Sequence, residues 1–368
     1  MLNIIFYVFI CITIIQLVYY LIIFGRFAFA KPQNITPKRV PVSVIVCAKN
    51  EAENVKKFIP LLAEQNYPDY EIVLIDDASA DETLDIFEEF EKIYPHVKLV
   101  KVLNNEAFWA NKKFALTLGI KAATKEYLLF TDSDCYPTSK DWITAMSSQF
   151  TMSKKIVLGY GAYEKVKGSL LNKIIRFDEM LTATQYFAWA KLGKPFMGEG
   201  RNMAYKKEEF FNVNGFMDHM HIRSGEDLLF VNQAASKKNT TVCYTPESFT
   251  YCKPKKTFKQ WFAQKKRHVY LSTKFKSSDK YQLRLFFLSQ LLFPLLAAIL
   301  LIVQFNWMFI LPVIAVRYIA AWTSLGYSAG KLKEKDVMYW FPIFEIFLTF
   351  TQLNVFFSNI FSKPVHWK

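Results

Sequence analysis

The chain has 368 residues, 52% of them hydrophobic, with 46 basic and 32 acidic side chains and a formal net charge of +14. That much apolar surface excludes a disordered chain, and five cysteines in this length exclude a small disulfide-stapled secreted domain. No two cysteines stand as C-x-x-C, which disfavours a structural zinc site.

In chain order, Leu2 to Phe24 is free of charge and long enough to cross a bilayer, which needs about 20 apolar residues. No basic stretch precedes it and no small-x-small cleavage site follows, so it reads as an uncleaved anchor. Arg26, Lys31, Lys38 and Arg39 come next and place the following segment in the cytoplasm. Pro32, Pro37 and Pro41 mark an extended linker.

Strand and helix patterns then alternate. Val42–Cys47 is a β-branched run of the kind buried on both faces of a parallel sheet, followed by an amphipathic helix from Glu51 to Gln65. Glu71–Ile75 is a second strand. Ser79 and Glu82 have the spacing of a capping box, opening a helix to about Tyr94. Val97–Val102 is a third strand, Lys112–Ala123 a third helix and Tyr127–Thr131 a fourth strand. This order predicts an α/β fold with a mainly parallel sheet, whose ligands bind at the carboxyl ends of the strands.

Polar residues crowd those ends. Ala48, Lys49, Asn50 and Glu51 follow the first strand, Asp76 and Asp77 the second, and Asp132-Ser133-Asp134 the fourth. Asp and Asn after a strand also serve as turn formers and helix caps. Paired carboxylates leaving a buried strand together are harder to explain that way, and hard oxygen ligands suit Mg²⁺ or Mn²⁺ held with phosphates. There is no G-x-G-x-x-G after the first strand and no G-x-x-x-x-G-K-[ST], which disfavours dinucleotide oxidoreductases and P-loop nucleotidases. Phosphate charge would then fall to a metal and to basic side chains such as Lys112. Cys135 reads as a small packing residue.

Further on, Lys253 to Lys280 is dense in lysine, with Trp261, Phe262, Tyr270 and Phe275 interleaved. Such a pattern also marks nucleic-acid binders, but a membrane run starts at Leu285, so anionic lipid headgroups are the better partner and no nucleic acid is expected. Leu285–Phe305 and Trp307–Tyr327 are apolar runs joined by a tight hairpin, and Arg317 interrupts the second. Lys331, Lys333 and Lys335 form a charged cytoplasmic loop. Val337–Phe361 reads as a further crossing, with an interfacial amphipathic segment as the alternative. Arg317 and Glu345 are expensive in lipid and are expected to face protein, water or headgroups.

The runs VSVIVCAKNEAENV, EIVLIDDASADET, NKKFAL and YLLFTDSDCYP resemble the nucleotide-sugar half of glycosyltransferase family 2, of the membrane-anchored bacterial type with a GT-A (Rossmann-like) fold. MGEGRNMAYKKEEF, VNGF and SGEDLLF resemble its acceptor-side segments, and QKKRH a variant of Q-x-x-R-W. The resemblance covers about Val42 to Tyr270. It implies that Ala48, Glu51, Asp76 and Asp77 line the nucleoside site and that Lys112 lies near the diphosphate. Asp132 and Asp134 match the D-x-D that holds a divalent cation and the donor. Asp227 matches the catalytic base, Gln264 and Arg267 the Q-x-x-R pair, and Glu199, Arg201, Asn202 and Glu226 fall on the acceptor side. His268 stands where processive members place Trp.

The implied protein is an integral inner-membrane enzyme with a cytoplasmic catalytic domain. It is expected to be metal-dependent and inverting, and to move sugar from a nucleotide sugar, UDP-linked by preference, to a lipid, lipid-linked or glycan acceptor. A processive polysaccharide synthase and a non-catalytic sugar-nucleotide-binding scaffold are the alternatives. The expected organisation is an anchor over residues 1–25, a linker over 26–41 and the GT-A domain over 42–252. A basic interfacial segment over 253–283 and a membrane region over 284–368 follow.

Overall fold

The computed structural model describes residues 1–34, 36–103, 112–222 and 224–362. Asn111, the first residue of the NKKFAL run, and the chain end after 362 lie outside them. The chain divides into two compact units. One comprises Pro32–Val166 and Gly193–Pro254; the other comprises Met1–Lys31, Lys167–Leu192 and the stretch from Lys255 onward.

The first unit is α/β. Its strands β1 (Val42–Ala48), β2 (Tyr70–Asp76), β3 (Val97–Lys101) and β4 (Tyr127–Asp132) are parallel neighbours in a sheet ordered β3-β2-β1-β4-β8-β6-β9. The short strands β6 (Ile156–Leu158), β8 (Met203–Lys206) and β9 (Thr240–Val242) extend it, with β8 antiparallel to both β4 and β6. Every residue of β1 is buried, as its unbroken β-branched run requires of a central strand. Register sets the site: Ala48 pairs with Asp76 and Cys47 with Asp132, so the carboxyl ends of β1, β2 and β4 finish level.

Helices α3 (Ala52–Ala63), α4 (Thr83–Ile93) and α5 (Lys112–Ala122) follow the first three strands. A Cβ on Gly119 of α5 would sit 2.1 Å from Ile75 Cδ1, so any larger residue there would have to displace the Ile75 side chain. The expected capping box at Ser79 does not form. Helix α4 begins later, at Thr83, with no side-chain cap. Ser79 Oγ instead accepts from Asn50 N at 3.0 Å, and Asn50 Oδ1 accepts from Ala80 N at 2.7 Å. The turn after β2 is thus stapled to the turn after β1, a long-range use of residues that read locally as caps.

A second sheet, ordered β5-β10-β7, uses β5 (Cys135–Pro137), β7 (Gly161–Tyr163) and β10 (Thr250–Cys252). Cys135 is not a mere packing residue: it faces Cys252 across the β5–β10 pairing and is disulfide-bonded to it, across 117 residues of sequence. Such bonds are uncommon in domains on the cytoplasmic side.

In the other unit, α1 (Leu2–Leu17) continues through a π-helical stretch, Val18–Phe24, into α2 (Gly25–Ala28). With α11 (Ser277–Ile302), α12 (Trp307–Lys331) and the segment Lys335–Phe361 that ends in α13 (Phe341–Phe361), four helices among the described residues are long and apolar enough to cross a membrane. The tight turn between α11 and α12 places Gln304 and Asn306 in the left-handed region. Lys331, Lys333 and Lys335 lie at the far end of α12, whereas residues 303–306 carry no charge, so the positive-inside bias puts the α/β unit on the cytoplasmic side.

Arg317 and Glu345 are both buried within this unit, where Arg317 Nη1 and Nη2 donate to the Glu345 carboxylate at 2.7 and 2.5 Å. The remaining helices are α7 (Leu170–Lys191) and α10 (Phe258–Ser272). A capping box that the sequence reading did not single out, Thr257 with Gln260, opens α10.

Candidate active site

The carboxyl ends of β1 and β4 build one side of a small cleft, and Gly200, Phe216, Glu226 and Asp227 supply the other. Lys112, at the start of α5, reaches into it and is the electrostatic centre. Its Nζ lies 2.5 Å from Asp132 Oδ1 and 3.1 Å from Glu226 Oε1. Burial alone would lower its pKa, but Asp132 and Glu226 outweigh that and hold the ammonium well above the ordinary lysine value. A fixed positive charge therefore bridges the carboxylates of two distant segments.

Asp227 stands beside this node. Its Oδ2 accepts from Gly200 N and its Oδ1 from Leu228 N, both at 2.7 Å, so both oxygens are oriented by backbone. Burial raises its pKa and the neighbouring Glu226 raises it further, against the pull of those two hydrogen bonds. A Cβ on Gly200 would come within 3.3 Å of the carboxylate, so glycine permits the close approach.

The β2 end is tied to β1 by Asp77 N donating to Ala48 O at 2.9 Å. Asp77 lies 3.9 Å from Lys49 Nζ; burial raises its pKa, Lys49 lowers it and Asp76 raises it. Asp76 is buried; its Oδ2 accepts from Ser79 N at 3.3 Å, while its Oδ1 has no hydrogen-bond partner among the described residues. A buried carboxylate oxygen without a partner is costly, and here it is an acceptor awaiting a donor. Glu51, at the start of α3, accepts from Asn54 Nδ2 at 2.6 Å.

The acceptor-side candidates separate. Glu199 and Arg201 pair at 2.6 Å, with the guanidinium 4.7 Å from the Tyr163 ring centroid. Asn202 is fully buried: its amide donates to Tyr160 O and Ser248 O and accepts from Trp142 Nε1, which makes it an internal strut. Gln264 and Arg267 belong to α10 in the membrane-helix unit.

Asp134 groups with Cys135 and Cys252. The two sulfurs are bonded to each other and offer no thiolate, so the donors left for a cation are carboxylate oxygens.

The sequence pattern of Glycosyl transferase family 2 matches residues 43–222, and that of Glycosyl transferase family group 2 matches residues 138–350. The chain belongs to glycosyltransferase family 2. Curated relatives include the glycosyltransferase AglE of Haloferax volcanii, 32% identical over 28% of this chain and 33% of its own. Another is the dolichyl N-acetyl-alpha-D-glucosaminyl phosphate 3-beta-D-2,3-diacetamido-2,3-dideoxy-beta-D-glucuronosyltransferase of Methanococcus voltae, 28% identical over 51% of this chain and 56% of its own. The chain thus spans from a third to about half the length of these two relatives. Among solved structures, the mannosyltransferase PcManGT of Pyrobaculum calidifontis shares the fold, with a TM-score of 0.59 at 19% identity over 95% of this chain and 99% of that one. Lys112, Asp132, Glu226 and Asp227 line one cleft at the carboxyl ends of β1 and β4.

Proposed function

We propose that this chain transfers a sugar from a nucleoside diphosphate sugar, UDP-linked by preference, to a lipid, lipid-linked or glycan hydroxyl at the cytoplasmic membrane face. The observation that carries the reading is the Lys112 bridge between Asp132 and Glu226, with the oriented Asp227 carboxylate beside it. In such a transfer, charge builds on the departing diphosphate while an acceptor hydroxyl loses its proton. Lys112 provides a permanent positive charge near the first event and Asp227 a base for the second. The raised pKa of Asp227, set by burial and by Glu226, strengthens its carboxylate as a base. A base on the face opposite the leaving group inverts the anomeric centre.

Asp76, with its unpartnered oxygen, and Asp77 would accept hydrogen bonds from the nucleoside. Asp132 and Asp134 would hold a divalent cation; the all-oxygen donor set suits Mg²⁺ or Mn²⁺. Bound there, the cation neutralises charge developing on the diphosphate. The reading has two likenesses behind it: PcManGT is described with GDP-Man and Mn²⁺, and the M. voltae relative is named for a dolichyl-linked phosphate sugar. Helix α10, with Lys259, Lys265, Lys266 and Arg267, would meet anionic headgroups, each cation contributing about 1 kcal/mol.

The test is turnover of UDP-glucose, UDP-N-acetylglucosamine and GDP-mannose by the detergent-solubilised chain with a membrane-lipid extract. Nucleotide release with label moving into lipid is expected in Mn²⁺ and is lost in EDTA. Binding of no nucleotide sugar would overturn the reading, and long glycan products would shift it to the processive alternative. A finer expectation concerns pH. Because Glu226 raises the Asp227 pKa, Glu226→Gln should move the acid limb of kcat/KM to lower pH; an unmoved limb counts against Asp227 as the base.

A further inference from the structure

Lys112 and Lys113 open the same helix, but consecutive helical residues point about 100° apart, and their ammonium groups have different surroundings. Lys112 meets carboxylates. Lys113 is fully buried, and its Nζ donates to backbone carbonyls: His219 O at 3.1 Å, Ile222 O, and Ser224 O at 2.7 Å. An ammonium carries three protons, a match for three carbonyl oxygens. All of these carbonyls belong to the segment 219–224, directly before the turn Gly225-Glu226-Asp227. Gly225 itself takes the left-handed conformation, with φ +80°.

A methionine would fill the space of Lys113 without the cost of burying a charge. The charge is explained by the loop: carbonyls turned inward need donors, and besides the Ile222 N–H that reaches His219 O at 3.0 Å, the Lys113 ammonium donates to all three. The side chain therefore ties the first turn of α5, from which Lys112 reaches Asp132, to the loop that presents Asp227. Burial pushes the Lys113 ammonium down to about 8, against the opposing pull of Glu226 and Asp227.

Resting on the transfer chemistry proposed above, we propose that Lys113 is a positioning residue: it clamps His219, Ile222 and Ser224 and so holds the Asp227 carboxylate where the acceptor hydroxyl is deprotonated. Donor binding stays with the strand ends.

The test uses the full chain in detergent with UDP-glucose, UDP-N-acetylglucosamine or GDP-mannose and Mn²⁺, reading nucleoside diphosphate release with water as acceptor. Lys113→Met should lower kcat about 10²-fold, the scale of a base misplaced by an ångström, with the donor KM unchanged. Lys113→Gln, whose amide restores two N–H donors, should recover part of the loss. A wild-type kcat in Lys113→Met, or a loss confined to KM or to melting temperature, would overturn the assignment.

The wild-type chain gives a readout that needs no variant. As pH rises through about 8 the Lys113 amine gives up one of its protons, and kcat should fall. Of the groups facing it, Glu226 and Asp227 are carboxylates that oppose the fall in its pKa, and burial together with Lys113 holds His219 below the ordinary imidazole value. Lys112 stays charged. A flat kcat from about pH 7 to 10 also overturns the assignment. A wild type that releases no nucleotide from any donor overturns the transfer reading, and the Lys113 role with it.

Discussion

Asp227→Asn is expected to lower turnover by about 10²–10⁴-fold, the range for removing a positioned general base, while donor binding stays near wild type. The separation follows from the geometry. In the proposed reading donor charge would be met by Lys112, whose pairing with Asp132 at 2.5 Å does not involve Asp227. Asp227 is held instead by the backbone N–H groups of Gly200 and Leu228. Asparagine offers only one oxygen to those two donors, so one N–H loses its partner, at a cost of about 1–3 kcal/mol. Melting temperature and donor affinity therefore have to be recorded beside kcat. A variant that binds donor, stays folded and does not turn over supports the base assignment. One that turns over at the wild-type rate removes it.

Arg317→Ala is expected to destabilise the membrane-helix unit by about 3–5 kcal/mol, the usual loss when one partner of a buried ion pair is removed. Glu345 is the reason. It accepts two bonds from the Arg317 guanidinium and one from Tyr20 Oη at 2.6 Å, and Gln290 Nε2 approaches at 3.3 Å. Arg317 also donates to Gln16 and lies about 5 Å from the ring centroids of Tyr20, Phe293 and Tyr318. Side chains from each of the four long apolar helices meet at this point. Without the guanidinium, a carboxylate would be left among apolar helices with no cation. The thermal unfolding midpoint in detergent should fall accordingly, and Arg317→Met with Glu345→Leu should regain most of it, since a well-packed apolar pair can replace a buried salt bridge. Wild-type stability in Arg317→Ala would mean that the cluster does not hold the helices together.

Much of this architecture could be read from local pattern. Strands β1 to β4 and helices α3 to α5 lie within a few residues of their expected places, because a doubly buried strand and an amphipathic helix each leave a repeat in their own residues. The charge-free runs mark the apolar helices for the same reason. Polar residues directly after strands pointed to the carboxyl edge, and the parallel register then set Asp76 beside Ala48 and Asp132 beside Cys47.

Partnership was not local, and only the tertiary structure decided it. Ser79 has capping-box spacing, yet its hydroxyl serves Asn50 in a neighbouring turn. Asn202 lies in an acceptor-like motif, yet spends its amide on Tyr160, Ser248 and Trp142. Cys135 found Cys252 across 117 residues because β10 pairs with β5. In the Lys112-Lys113 doublet, the sequence does not say which lysine meets carboxylates and which meets carbonyls; the rotation of α5 against β1 and β2 does. A sequence by itself determines which faces must be buried, since burial follows from the order of apolar and polar residues along one segment. Which polar groups then satisfy one another depends on strand order and helix packing, which join residues that the chain keeps far apart.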